Sequence, residues 1–204
     1  MGPRSTPVKR VVLGVTGSIA AYKSPEIVRG LVQKGHEVRC VLTSAGSQFI
    51  TPLTLSVLSK NPVATNMHDP ALWEMAHLSL ASWADLVLVA PATADFMARL
   101  AAGRAEGLLD GLILSAECPV ALCPALDQEM WTHPATQANA AKLKEYGYQI
   151  WGPDQGELAS GKNGWGRLME PEEIVKRVGG APGKLAVGQR AALRPIRNSI
   201  RAHV

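Results

Sequence analysis

The sequence predicts a single α/β domain, doubly wound in the flavodoxin or Rossmann manner around a mostly parallel sheet. Three observations predict it. Short apolar runs alternate with segments of helical spacing along the whole body of the chain. The run Leu86–Ala90 is unbroken and apolar, as a strand buried on both faces requires. Each strand-like run ends in small and polar residues: Gly17-Ser18, Thr43-Ser44-Ala45-Gly46, Pro91–Asp95 and Pro124–Asp127. Ligands of open α/β sheets bind outside the carboxyl ends of the strands, and small residues let a flat ligand approach the backbone there.

Taken in order, Val11–Val15 is the first strand, and the turn Gly14–Ser18 leads into a helix predicted over Ile19–Lys34. Ile19, Tyr22, Ile27 and Leu31 give that segment its period, and Gly35 is a fitting C-terminal stop. Backbone N–H groups at such a helix start attract anions, so Gly17 and Ser18 suit a phosphate; an ordinary tight turn capped by Ser18 reads equally well. The stretch is neither GxGxxG nor a P-loop. Glu37–Leu42 is the second strand and Thr51–Leu58 a short helix. Residues 60–73 hold several Pro and Asn breakers and read as a surface loop containing His68-Asp69, to which no role is assigned.

The stretch His77–Asp95 places a histidine and a strand-end loop within one short segment. His77 reads either as a structural histidine beside Met75, Leu78 and Leu80 or as an acid/base. Phe96–Leu109 reads as one helix weakened by Gly103 and Gly107, with Leu112–Leu114 a possible extension. Pro119–Cys123 is a further strand, and Asp127 after it is either a helix N-cap or a working carboxylate. Pro134–Tyr146 is helical, Gln149–Trp151 a short strand, and Pro171–Val178 a last helix with Glu172 and Glu173 in its first turn. Residues 152–167 are glycine-rich without apolar periodicity and predict a mobile loop long enough to act as a lid.

Composition narrows the function. At 204 residues, 47% hydrophobic and 19% charged, the chain has the content of one globular domain. The net charge of +4 comes from its ends: residues 1–10 carry +3 and residues 184–204 carry +5, so the body between them is at −4. Basic tails are weak grounds for a nucleic-acid surface, and neither nucleic acid nor membrane is expected as a partner. The three cysteines, Cys40, Cys118 and Cys123, have no metal-like or disulfide-like spacing. No metal is expected, and no apolar run is long enough to span a bilayer. A cytoplasmic location is expected. The GGAPG stretch from Gly179 begins a basic tail in which Arg190, Arg194, Arg197 and Arg201 recur at helical spacing, interrupted by Pro195.

Five segments in order carry a resemblance: GVTGSIAAYKSPEIVRGL (14–31), FITPLTLSVLSKNPV (49–63), HLSLASWADLVLVAPATAD (77–95), PALDQEMWTHPAT (124–136) and GELASGKNGWGRLMEP (156–171). Together they resemble the homo-oligomeric flavin-containing cysteine decarboxylases, most closely the branch acting on phosphopantothenoylcysteine. The resemblance implies a flavodoxin-like FMN domain over residues 11–178, flanked by an N-terminal tail and a basic C-terminal tail. It implies trimers, often assembled to dodecamers, with FMN between subunits. Gly17, Ser18 and Ile19 would hold the FMN phosphate, with polar contacts from Thr43 and Ser44. Thr93, Ala94, Asp95 and Ala125 would line the flavin. His77 matches the family's active-site histidine, Asp127 and Met130 fall on its PAMN-type substrate motif, and Ser160 falls in its flap.

Three positions depart from the family pattern. Asp95 and Asp127 stand where asparagines do in PASANT and PAMN, and Ser160 stands in place of a flap cysteine. An ionised Asp127 repels a carboxylate, so protonation or a different ligand such as an amide is expected there. Ser160 offers no acidic thiol for returning electrons to an ene-thiol. The expected reaction is FMN-dependent decarboxylation of 4′-phosphopantothenoylcysteine to 4′-phosphopantetheine in coenzyme A biosynthesis. The competing expectations are oxidative decarboxylation of a peptide's C-terminal cysteine and a non-catalytic FMN-binding subunit.

Overall fold

The computed structural model describes residues 9–67 and 76–181. His68-Asp69, Met75 and the arginine series of the C-terminal tail lie outside the described residues. Strands β1 (Arg10–Val15), β2 (Glu37–Leu42), β3 (Leu86–Ala92), β4 (Val120–Pro124) and β5 (Gln149–Ile150) form one five-stranded sheet in the order β2-β1-β3-β4-β5. Every pair in it is parallel. The chain order reverses at β1 and β3, so the carboxyl ends of those two strands open the crevice where α/β sheets take ligands.

Helices cover both faces. On one face, α1 (Ser24–Gln33), α2 (Pro52–Ser59) and α8 (Pro171–Gly180) set Ile27, Leu31, Leu55 and Ile174 against Val11, Leu13 and Val15. On the other, α3 (Ala76–Trp83), α4 (Ala94–Ala101), α5 (Leu108–Ser115) and α7 (Pro134–Glu145) set Leu80, Phe96, Leu112 and Leu143 against Val12, Val87 and Val89. A short α6 (Gln128–Thr132) follows β4. The central strands are buried along almost their whole length, which is why their sequences are continuously apolar. At the strands' amino ends, Asp85 accepts from the backbone N–H of Arg10 at 3.0 Å and from its guanidinium at 2.9 Å.

Three elements differ from the sequence expectation. The helix predicted over Ile19–Lys34 is a 3-10 turn, Ile19–Lys23, followed by α1, which begins at Ser24-Pro25. Proline has no N–H and constrains the residue before it, so it starts a helix rather than continuing one. The helix predicted over Phe96–Leu109 is two helices, α4 and α5. Gly103 takes a φ of +69° after α4, and Gly107 caps α5, where Asp110 Oδ2 accepts its N–H at 2.9 Å. The loop predicted over residues 152–167 is ordered as an antiparallel hairpin, β6 (Asp154–Glu157) with β7 (Asn163–Arg167). Backbone pairing, which needs no apolar alternation, builds that hairpin.

Candidate active site

Three strand-end turns meet above β1, β3 and β4 and are stitched to one another. Thr16 Oγ1 donates to Pro91 C=O at 2.8 Å and accepts from Thr93 N–H at 3.1 Å. Ser18 Oγ accepts from Ala20 N–H and donates to Ala125 C=O, both at 3.3 Å. Ala125 N–H donates to Ala92 C=O at 3.2 Å. Thr93 Oγ1 caps α4 by accepting from Phe96 N–H at 3.2 Å. These bonds fix the backbone of all three turns relative to the sheet, as a preformed ligand site requires.

The turns floor a cavity of about 570 Å³, roofed by the β6–β7 hairpin. Gly17, Ser18, Ile19, Thr93, Ala94 and Ala125 line its floor. Asp127 and Met130 line one wall, Leu158 and Ala159 come from the hairpin, and Tyr22, Lys23 and Arg167 stand at its rim. The volume lies in the range of about 300–1,000 Å³ typical of small-molecule and cofactor pockets. The first turn has little room for a side chain at Gly17: a Cβ there would come 2.5 Å from Ala45 Cβ. The small residues Gly17, Thr93, Ala94 and Ala125 leave room for a flat ligand to approach the backbone.

The hairpin is pinned to the segment after β4. Leu126 N–H donates to Gly166 C=O at 3.0 Å, and Trp165 N–H donates to Gln128 Oε1 at 3.1 Å. Lys162 Nζ meets Glu129 Oε1 at 2.5 Å. Asp127 caps α6, its Oδ1 accepting from Gln128 N–H at 2.6 Å. A hydrogen bond from Ser160 is the main cause holding the Asp127 carboxyl below the usual carboxylate range; the Gln128 N–H and the Lys162 charge act the same way. These partners favour the ionised form of Asp127 in the chain as it stands.

The structure brings Gly17, Ser18, Ile19, Thr93, Ala94, Ala125, Asp127 and Met130 to one cavity, with Ser160 on the hairpin next to the lining residue Ala159. Four other candidate residues stand apart from it. Thr43 Oγ1 donates to Val15 C=O at 3.2 Å and accepts from Gly46 N–H at 3.0 Å. Ser44 is exposed in the same turn, which abuts Gly17. Asp95 is exposed and pairs with Arg99 at 3.1 Å. His77 is half-buried on α3, its ring against Gly111 of α5, and its buried Nδ1 has no hydrogen-bond partner among the described residues. It is not among the residues lining the cavity of its own chain.

Sequence reasoning missed Thr16, Tyr22, Lys23 and Arg167. Thr16 had a signal, a hydroxyl at the end of a buried strand. Lys23 and Arg167 are joined through Glu170, which pairs with Lys23 at 3.1 Å and also with Arg167. No thiol serves the cavity: the three cysteines are buried, and burial pushes the Cys40 thiol up to about 12 and Cys123 higher.

The chain matches the family described as Flavoprotein over residues 2–181. It is 48% identical over 188 residues to the coenzyme A biosynthesis bifunctional protein CoaBC of Vibrio cholerae serotype O1, covering 91% of this chain and 47% of that protein. The chain thus spans about half the length of that curated relative. Among solved structures it is similar to a cysteine-to-serine mutant of PPC decarboxylase complexed with pantothenoylaminoethenethiol, with a TM-score of 0.75 and 30% identity, over 83% of this chain and 96% of that one. It is also similar to the FMN-binding protein AtHal3, with a TM-score of 0.73 and 28% identity, over 83% and 94% of the two chains.

Proposed function

The chain belongs to the Flavoprotein family, and from that premise we propose that it binds FMN and decarboxylates 4′-phosphopantothenoylcysteine to 4′-phosphopantetheine in coenzyme A biosynthesis. The observation that carries the proposal is the cavity itself: three strand-end turns stitched together beneath a hairpin, with Asp127 and Met130 among its lining. CoaBC relatives and a PPC decarboxylase bound to an ene-thiol of the pantothenoyl series support the same substrate class.

In this reading Gly17, Ser18 and Ile19 hold the phosphate of FMN, while Thr93, Ala94 and Ala125 lie against its ring. Bound FMN supplies a two-electron acceptor and donor at the substrate's cysteine end, so that carbon dioxide leaves and the electrons return. The protein's part is to orient the cysteine end and keep water away. Met130, Leu158 and Ala159 give it an apolar wall and roof. Asp127 and Ser160 fix the hairpin over it. Thr43, Ser44, Asp95 and His77 stand outside the cavity of one chain, so the reading places FMN between subunits of a homo-oligomer. His77 of a neighbouring copy then completes the site and moves the proton of the substrate's thiol.

Ser160 favours a second reading. With no thiol serving the cavity, the electrons need not return, and the product is then the ene-thiol, as in oxidative decarboxylation of a C-terminal cysteine.

His77→Asn tests the assignment of the histidine. The variant is expected to retain bound FMN, read from its visible absorbance, and to lose product formation by about a hundredfold or more. Undiminished turnover would remove His77 from the mechanism.

A further inference from the structure

The start of α6, whose Asp127 lines the cavity, carries a group of charges that meets the tip of the hairpin. Asp127 and Glu129 both stand at the start of α6, facing the tip of the hairpin. The tip brings Ser160 to Asp127 and Lys162 to Glu129, and the charge of Lys162 also acts on Asp127. A substrate carboxylate entering here meets an ionised acid and is repelled unless a cation receives it. Two cations, Lys23 and Arg167, line the cavity, and a third, Lys162, lies on the hairpin tip next to the lining residue Asp127. Lys23 and Arg167 share Glu170, and the Lys23 side chain is only 12% exposed. The Arg167 side chain is stacked across Gly156, where a Cβ would come 2.7 Å from its Cδ.

Lys162 is placed differently. Its side chain is 61% exposed and that of its partner Glu129 is 63% exposed. An exposed ion pair contributes little, so the ammonium changes partner at little cost. Its flexible stem carries a compact charge with three donors. Glu129, released, returns to water.

Resting on the decarboxylase reading above, we infer that Lys162 is the specificity-determining anchor for the substrate's carboxylate, exchanging Glu129 for it and holding it beside Asp127. Ligands lacking the carboxylate gain nothing from Lys162.

The test uses FMN-loaded full-length protein and two unreactive ligands without a thiol: phosphopantothenoylserine and its C-terminal carboxamide. Binding is read from the flavin spectrum. Lys162→Met is expected to weaken the carboxylate ligand about tenfold or more, the scale of one charge-assisted hydrogen bond, and to leave the carboxamide unchanged. Lys162→Arg should preserve most of the preference. Equal loss for both ligands, no loss for either, or a carboxylate-specific loss confined to Arg167→Met would overturn the inference while leaving the decarboxylase reading intact. Wild-type protein that loads FMN and binds neither ligand would overturn both.

Discussion

Asp127 shows how one residue's neighbours set the chemistry of the site. The hydrogen bond from Ser160 does most to hold its carboxyl below the usual range. A carboxyl depressed by folding stabilises the structure above the ordinary aspartate value of about 3.9, and that contribution is lost as pH falls through the lower folded value. An NMR titration of the Asp127 carboxyl is therefore expected to show a midpoint below about 3.9. Ser160→Ala should move that midpoint upward; a wild-type midpoint at or above the ordinary value would show that Ser160 does not stabilise the carboxylate. The sequence makes Asp127 legible as a cap and an ionisable strand-end group. It does not make Ser160 legible as its partner, because the chain must pass through α6, α7, β5 and β6 before the two meet.

The hairpin shows the same thing one level up. A glycine-rich stretch without apolar alternation reads as a loop, yet its backbone is ordered by contacts with a distant segment. Gly166 has a φ of +142°, and a Cβ on it would come 2.1 Å from Leu126 C=O. Gly166→Ala is expected to lift β7 from Leu126, with backbone strain of about 1–3 kcal/mol. Hydrogen exchange at Leu126 N–H, which donates to Gly166 C=O, should then quicken about tenfold or more, while the amides of β1 and β3 keep their protection. Unchanged exchange at Leu126 would show that the hairpin is held elsewhere. Helices α4 and α5 fail for a related reason. Apolar residues continue through Gly103 and Gly107, but the joint between the helices is made by Arg99, whose guanidinium lies 2.5 Å from the buried carboxylate of Asp110. A spacing rule sees the apolar stripe and not the ion pair.

For the whole molecule, alternation of strands and helices was enough to predict the parallel sheet, since buried strands and amphipathic helices leave few other ways to cover both faces. The strand-end turns were legible for the same reason: their small and polar residues interrupt apolar runs. What the sequence leaves hidden is which turns share a cavity. His77 is close to Thr93 along the chain, yet α3 holds it over Gly111 while Thr93 faces the cavity. The described residues contain no helix long and apolar enough to cross a membrane. One measurement tests the proposed reaction most directly. Protein loaded with FMN is mixed anaerobically with 4′-phosphopantothenoylcysteine, and flavin absorbance and product mass are followed together. The expected result is protein that stays yellow at the end of turnover and releases phosphopantetheine. Bleached flavin with a product two hydrogens lighter would contradict the complete reaction and favour the ene-thiol reading, and a protein that takes up no FMN would contradict the assignment itself.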